Sequence, residues 1–111
     1  MDARPPMIAD ADIRQAIEIL VDRFHPDRVI LFGSHARGTA DARSDVDLLV
    51  VCPVHGSRRA LQVAIDRTLG GCGFARDIVV LSREEFERDR HIPGTVARPA
   101  AREGRILYER P

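Results

Sequence analysis

The sequence contains no lysine, so every one of its 17 basic residues is an arginine. The absence of lysine excludes Schiff-base catalysis, which needs a lysine amine. It also excludes a phosphate-binding P-loop, which needs the lysine of a GK[ST] motif. Any phosphate chemistry in this chain must therefore use other groups.

Cysteine, histidine clusters, excess charge and long apolar runs are also scarce. Cys52 and Cys72 are far apart, which indicates buried thiols rather than a disulfide or a zinc pair. The four histidines lack zinc-site spacing. The formal net charge is zero, so we expect no direct nucleic-acid binding. Neither a secretory signal nor a run of roughly 20 apolar residues is present, so we expect a cytoplasmic protein that does not bind a membrane.

The remaining pattern predicts a single α/β domain over residues 1–111, with a small mixed β-sheet flanked by helices. Short β-branched runs predict strands over Arg28–Phe32, Asp45–Val51 and Ala75–Leu81, and a last short strand in RILYE. Apolar periodicity and capping patterns predict helices over about Asp10–Phe24, Ser57–Leu69 and Ser82–Arg90, with one helical turn in SHARG. Thr95 is expected to cap a further helix to Arg102, against which Pro99 argues because it removes a backbone hydrogen bond.

Asp45 and Asp47 are two residues apart on a predicted strand, so both carboxylates should leave the same face of the sheet. Their like charges repel each other, and a cation between them would relieve the repulsion. If the second and third strands pair, Asp77 would lie beside them. Three carboxylates could then hold two magnesium ions with a triphosphate and activate an acceptor hydroxyl. Taken alone, however, a D-x-D pair is also compatible with a solvated strand edge.

Gly33 and Ser34 directly follow the first predicted strand. Glycine permits a tight turn and close approach of the backbone, and serine offers a hydroxyl and a backbone N–H. Free N–H groups at the start of the SHARG turn would face an anion. Arg37 has two open interpretations, contact with a phosphate or pairing with a nearby carboxylate.

Gly33-Ser34, ten intervening residues and Asp45-Val46-Asp47 resemble the GS-x10-D-x-D signature of the DNA-polymerase-β-like nucleotidyltransferase superfamily. The string LFGSHARGTADARSDVDLLVV is similar to its minimal nucleotidyltransferase branch, and the similarity extends from HPDRVILFGS to REGRILYE. The resemblance implies the nucleotidyltransferase fold, with Asp45, Asp47 and Asp77 as catalytic magnesium ligands. It also implies that Gly33 and Ser34 hold the phosphates of the nucleotide.

The same resemblance implies a function. Members of this branch are often encoded beside a helical HEPN-type toxin, and several act as antitoxins that transfer AMP from ATP to a tyrosine of that toxin. Two alternatives remain open. The first is nucleotidyl transfer to a small molecule such as an aminoglycoside, for which the chain is short. The second is neutralisation of a partner by binding alone, against which the three carboxylates argue.

Overall fold

The computed structural model describes residues 10–41 and 43–111. Along this part of the chain, the helices and strands are α1 (Asp10–Phe24), β1 (Arg28–Phe32), α2 (Ser34–Arg37), β2 (Val46–Val51), α3 (Arg58–Thr68), β3 (Arg76–Leu81), α4 (Arg83–Asp89), α5 (Ala97–Glu103) and β4 (Arg105–Glu109). A short 3-10 turn, Gly70–Cys72, connects α3 to β3. Among these helices, none has the length and apolar character needed to cross a membrane.

The four strands form one sheet in the order β3-β2-β1-β4. Strand β1 runs antiparallel to both β2 and β4, whereas β2 and β3 are parallel. The parallel pair is possible because α3 provides the crossover connection that parallel neighbours need. The predicted α/β class, a small mixed sheet flanked by helices, is confirmed.

Both faces of the sheet are covered by apolar side chains. One face packs against α1 and α3, and its buried strand residues are Val29, Leu31, Val46, Leu48, Val50, Ile78 and Val80. The other face packs against α4 and α5, where Ile30, Leu49 and Val51 contact Phe86, Ala97 and Ala100. Because β2 is covered on both sides, its sequence is a nearly continuous apolar run. Asp47 is the only residue of β2 that is not fully buried.

The predicted helix starts are confirmed where side-chain caps define them. Ser57 accepts a hydrogen bond from the backbone of Ala60 at the start of α3. Ser82 and Glu85 form the reciprocal capping box that the sequence predicts at the start of α4. Two strands begin one residue later than predicted, β2 at Val46 and β3 at Arg76.

The prediction that Thr95 caps the last helix is wrong. Val96 precedes the first residue of α5, and no side chain caps this helix. The Thr95 hydroxyl instead donates to the backbone carbonyl of Asp89 at 2.8 Å. Pro99 is the third residue of α5, where a backbone N–H has no acceptor within the helix. The proline therefore costs no helical hydrogen bond at this position.

The two cysteines are free thiols, as predicted. Cys52 is buried in the core, and Cys72 is half-buried against it. Burial raises the pKa of the Cys52 thiol, with a further contribution from the nearby charge of Asp27. This cysteine is therefore a packing residue rather than a reactive thiolate.

Arg58 and Glu85 connect the start of α3 to the start of α4. The guanidinium of Arg58 donates to both carboxylate oxygens of Glu85, at 2.8 and 2.7 Å, and to the Val80 carbonyl at 2.8 Å. The hydrogen bonds from Arg58, together with those of the Ser82 cap, lower the pKa of Glu85 to about 2. This two-pronged ion pair connects elements that are distant in sequence.

We expect Glu85→Gln to lower the free energy of unfolding by about 1–2 kcal/mol at pH 7, since the Glu85 side chain is 25 % exposed. A carboxylate with a lowered pKa stabilises the fold above its unfolded pKa, 4.5, and this stabilisation disappears as the pH falls toward 2. Urea denaturation at pH 7 and at pH 3 should therefore show a smaller difference at pH 3. Glu84→Gln, at an exposed position of the same helix, is the control. An equal loss at both pH values would contradict the assignment to charge.

Candidate active site

Asp47 and Asp77 lie side by side on adjacent strands. Asp47 pairs in register with Asp77 of β3 on one side and with Phe32 of β1 on the other. Paired residues of neighbouring strands project from the same face of a sheet. The two carboxylates therefore share the face that α4 and α5 cover farther along the strands.

Asp45 immediately precedes β2 and is exposed, as is Asp77, whereas Asp47 is half-buried. Burial raises the pKa of Asp47, and the negative charges of Asp77 and Asp45 raise it further. The nearby His35 and Arg37 partly oppose this increase. The structure thus brings the three predicted acids into one electrostatically coupled region.

Gly33 forms the turn that follows β1, with a φ angle of 74°. Its ψ angle is −156°, and residues other than glycine rarely adopt this combination of φ and ψ angles. A Cβ atom at Gly33 would also overlap the carboxylate of Asp47, first of all its Oδ2 atom. Glycine is therefore required at this position for two independent reasons. The sequence alone explained Gly33 by its turn and by close approach to a phosphate, and did not indicate the contact with Asp47.

Ser34 is the first residue of α2, and Gly33 is its N-cap. The Gly33 carbonyl accepts the backbone N–H groups of Ala36 and Arg37, both at 3.1 Å. The Ser34 side chain is half-buried beside this turn. Ser34 therefore follows directly after Gly33, the residue that lies against Asp47.

His35 is a site residue that the sequence reasoning missed. Its Nε2 atom lies 3.1 Å from the carbonyl oxygen of Ser44, so this nitrogen carries the proton in that hydrogen bond. This hydrogen bond connects α2 to Ser44, the last residue of the loop before Asp45. Only the position of His35 between the Gly-Ser pair and the acids could have indicated this role.

Arg37 pairs with Glu103 of α5, with 3.6 Å between Nη1 and Oε2. About half of each side chain is exposed. Of the two interpretations from the sequence, the structure shows a pair with a carboxylate. Such exposed pairs contribute little to stability, so Arg37 can exchange Glu103 for another anion at small cost.

The donor atoms of the three aspartates fit magnesium. All are carboxylate oxygens, the ligands that this ion prefers, and mutual repulsion raises the free energy of the ionised cluster. Within the residues that the structure describes, no group of three or more His, Cys, Asp and Glu side chains has the arrangement of a metal site. The three carboxylates therefore do not form a closed metal centre in this structure.

The cluster lies away from a largely apolar groove on the other face of the sheet. That groove, of about 490 Å³, lies between α1 and β4 and is lined by residues that include Ile13, Ile17, Val21, Leu31 and Leu107. A groove of about 300 Å³ between α3 and β3 reaches Asp77. The exposure of Asp45 and Asp77 leaves the acids accessible to a large molecule.

Comparison with known families gives a match over nearly the whole chain. Residues 13–109 match the nucleotidyltransferase domain family. The matched region contains the glycine turn and all three aspartates. No curated protein is similar enough in sequence to match.

Two solved structures have a similar fold. One is a candidate nucleotidyltransferase from Sulfolobus solfataricus, with a TM-score of 0.63 and 21 % identity, covering 90 % of this chain and 79 % of that chain. The other is a toxin–antitoxin with AMP-PNP, with a TM-score of 0.54 and 20 % identity, covering 87 % of this chain and 73 % of that chain. At these identities, the likeness is one of fold.

Proposed function

We propose, because the chain belongs to the nucleotidyltransferase domain family, that it transfers AMP from ATP to a hydroxyl group of a partner protein. The observation that carries this proposal is the coupled group of Asp45, Asp47 and Asp77 beside the Gly33 turn. Family membership supports nucleotidyl transfer in general. The choice of AMP and of a protein acceptor is the finer part of the proposal.

The proposed acceptor is a tyrosine of a HEPN-type toxin, which would make this chain the antitoxin of a minimal nucleotidyltransferase pair. A toxin–antitoxin with AMP-PNP shares the fold, which supports both a toxin partner and an adenine nucleotide. The open setting of Asp45 and Asp77 also favours a macromolecular acceptor, because a partner surface can cover the acids during the reaction. A small-molecule acceptor would require more enclosure from this chain itself.

The aspartates have separate roles in this proposal. Asp45 and Asp47 would hold two magnesium ions, and Asp77 would complete the set of ligands. When bound, magnesium neutralises the triphosphate and the charge that develops on it during transfer. Gly33 and Ser34 would position the phosphates through the turn between β1 and α2.

The reaction exchanges one phosphorus–oxygen bond for another. The acceptor oxygen forms a bond to the α-phosphorus of ATP, and the bond from that phosphorus to the oxygen bridging to the β-phosphorus breaks. Pyrophosphate leaves with the electron pair of the broken bond, and AMP remains on the acceptor. Asp77, which is exposed beside Asp47, would accept the proton of the acceptor hydroxyl.

We expect Asp45→Asn to reduce AMP transfer at least about 100-fold, because the variant loses a charged magnesium ligand. Transfer of label from α-labelled ATP to a co-expressed helical partner, encoded by a neighbouring reading frame, measures this effect. Removal of magnesium with a chelator should abolish the label on the partner. Replacement of the acceptor tyrosine by phenylalanine should have the same result.

The control is Asp22→Asn, an exposed substitution on α1, which covers the opposite face of the sheet. This variant should retain full transfer. Undiminished labelling by Asp45→Asn would contradict the proposal. Full neutralisation of the toxin by Asp45→Asn, without labelling, would instead favour neutralisation by binding alone.

A further inference from the structure

Asp45 differs from the other two acids because it lies outside the sheet. Asp47 is a residue of β2 and Asp77 is a residue of β3, so the paired strands fix where these two side chains start. Strand β2 begins only at Val46. Asp45 is exposed, and no hydrogen bond or ion pair of its side chain occurs in the part of the chain that the structure describes. The position of Asp45 therefore depends on the backbone on either side of it.

The backbone makes hydrogen bonds on both sides of Asp45. The N–H group of Val46 donates to the Ala75 carbonyl at 2.9 Å, which connects the following residue to the sheet. The preceding residue, Ser44, closes a turn with Asp41. Its N–H group donates to the Asp41 carbonyl at 3.1 Å, and its hydroxyl accepts the N–H group of Asp41 at 3.0 Å. Because the two bonds of this turn lie within the loop, they do not determine where the loop lies on the protein.

His35 connects this loop to the rest of the fold. Its side chain is half-buried, and its Nε2 atom donates to the Ser44 carbonyl at 3.1 Å. Among residues 10–41 and 43–111, no other residue beyond the loop 39–44 makes a hydrogen bond to Ser44. The hydrogen bond of His35 is therefore what fixes the residue before Asp45 against the body of the protein.

The helix that carries His35 also lies against a second acid. Helix α2 follows directly after Gly33, and Gly33 lies against the Asp47 carboxylate. His35 itself is near enough to Asp47 to oppose the rise in the pKa of that acid. One short helix therefore meets Asp47 at its start and the residue before Asp45 through His35. The hydrogen bond of His35 thus sets how far Asp45 lies from the Gly33 turn and from Asp47.

We propose that His35 is a positioning residue, which holds Asp45 near Asp47 before magnesium and the nucleotide bind. This role rests on the proposed function, in which both acids are magnesium ligands. His35 acts only through the Ser44 carbonyl and touches neither the metal nor the nucleotide. Because the negative charges of Asp45 and Asp47 repel each other, an Asp45 that is not held moves away from Asp47. Magnesium must then bring it back, at a cost in affinity.

Glutamine and asparagine distinguish this role from simple packing. The Nε2 atom of glutamine is as many bonds from Cα as the Nε2 atom of histidine, so His35→Gln keeps a donor at the same reach. The amide nitrogen of asparagine is closer to the backbone, so His35→Asn stays polar but loses the hydrogen bond. His35→Ala removes the donor altogether. The control is His55→Ala, at an exposed position beyond the other end of β2.

Isothermal titration calorimetry with magnesium and a non-hydrolysable ATP analogue measures the effect on binding. Hydrogen bonds that orient metal ligands contribute about 10–100-fold to metal affinity or activity. We therefore expect His35→Ala and His35→Asn to raise the dissociation constant at least about 10-fold. His35→Gln and His55→Ala should remain close to the wild type. Circular dichroism checks that each variant is folded.

Hydrogen exchange tests the loop itself, without any ligand. His35→Ala should speed the exchange of the Ser44 amide at least about 10-fold, because the turn opens more often when the loop is not held. His35→Gln should restore slow exchange. The Ala60 amide, which donates to the Ser57 hydroxyl at the start of α3, should exchange at the same rate in every variant.

Two results would overturn the proposal. The first is an affinity for magnesium and the analogue that His35→Ala leaves unchanged. The second is an equal loss in His35→Gln and His35→Asn, because the role would then not depend on the donor at Nε2. Failure of the proposed function has a different result, in which the wild type binds no magnesium and analogue. Faster exchange of the Ser44 amide in His35→Ala would then still support His35 as the residue that holds Asp45, and unchanged exchange would overturn that too.

Discussion

Gly33→Ala is expected to reduce nucleotidyl transfer by about 10³-fold and to lower the free energy of unfolding by about 2–3 kcal/mol. Its added Cβ overlaps the Asp47 carboxylate, and its φ angle of 74° strains any side chain. The overlap moves either the turn or the acid, and misplacement of a reacting group is costly in rate. Single-turnover kinetics and urea denaturation measure the two effects.

Gly38→Ala is a control for a glycine that has a positive φ angle but no steric contact. Gly38 has φ 76° and ψ 16°, in the left-handed helical region, whereas Gly33 has φ 74° and ψ −156°, a region that is almost confined to glycine. A Cβ atom at Gly38 would meet no heavy atom within 4 Å. This variant should therefore lose only the cost of the left-handed conformation, about 1 kcal/mol, and keep most of its activity. Equal losses in the two variants would contradict a contribution from the contact with Asp47.

A double substitution tests the contact directly. Asp47→Ala removes the carboxylate atoms that the new Cβ atom of Gly33→Ala would overlap. The two substitutions together should therefore cost less stability than the sum of the two single changes, by about 1 kcal/mol or more. Additive costs would place the strain elsewhere. Gly38→Ala combined with Asp47→Ala, which share no contact, should be additive.

The sequence predicts that Asp47 and Asp77 are neighbours on one condition, which is that the second and third strands pair. Alternation along the strands placed Asp45 and Asp47 on one face, and pairing of the second and third strands placed Asp77 beside them. The structure has this pairing, in the parallel direction. The direction itself was not deduced, although α3 between the two strands provides the crossover that a parallel pair needs.

The contact between Gly33 and Asp47 could not be predicted from local patterns. The two residues meet because β1 and β2 are antiparallel and Phe32 is registered with Asp47. That register depends on packing of both strands over their whole length. The role of His35 could not be predicted either. Its hydrogen-bond acceptor is the backbone carbonyl of Ser44, in a loop without a periodic sequence pattern.

The last helix, α5, shows a different limit of prediction from the sequence. Pro99 argued against a helix because its exact position relative to the helix start was unknown. Once α5 begins at Ala97, the proline is in the first turn and costs no hydrogen bond. A shift of one residue, from a cap at Thr95 to one at Val96, reverses the conclusion. Caps such as Ser82 removed that uncertainty for α4, and α5 has no side-chain cap.

Asp47→Asn is expected to abolish transfer, by a factor of about 10³ or more, and at the same time to make the ligand-free protein more stable. Burial and the charges of Asp77 and Asp45 raise the pKa of Asp47, so its ionised form destabilises the folded state. A carboxyl group with a raised pKa in the folded state costs stability above that pKa, and the cost disappears as the pH falls toward 3.8. The gain in the variant, about 0.5–1 kcal/mol, should therefore be largest at neutral pH.

Magnesium with a non-hydrolysable ATP analogue should reverse the order of stability. Ligands that bind only the folded state raise its stability, and we expect this increase for the wild type but not for Asp47→Asn. Asp66→Asn is a control of opposite sign, since Asp66 forms an ion pair with the mostly buried Arg76, with 3.0 Å between Oδ1 and Nε, and its loss should destabilise the chain slightly. Thermal unfolding at pH 7, with and without magnesium and the analogue, measures the stability of the wild type, Asp47→Asn and Asp66→Asn. A lower melting temperature for ligand-free Asp47→Asn would mean that Asp47 stabilises the fold, which would contradict the predicted cost of its ionised form.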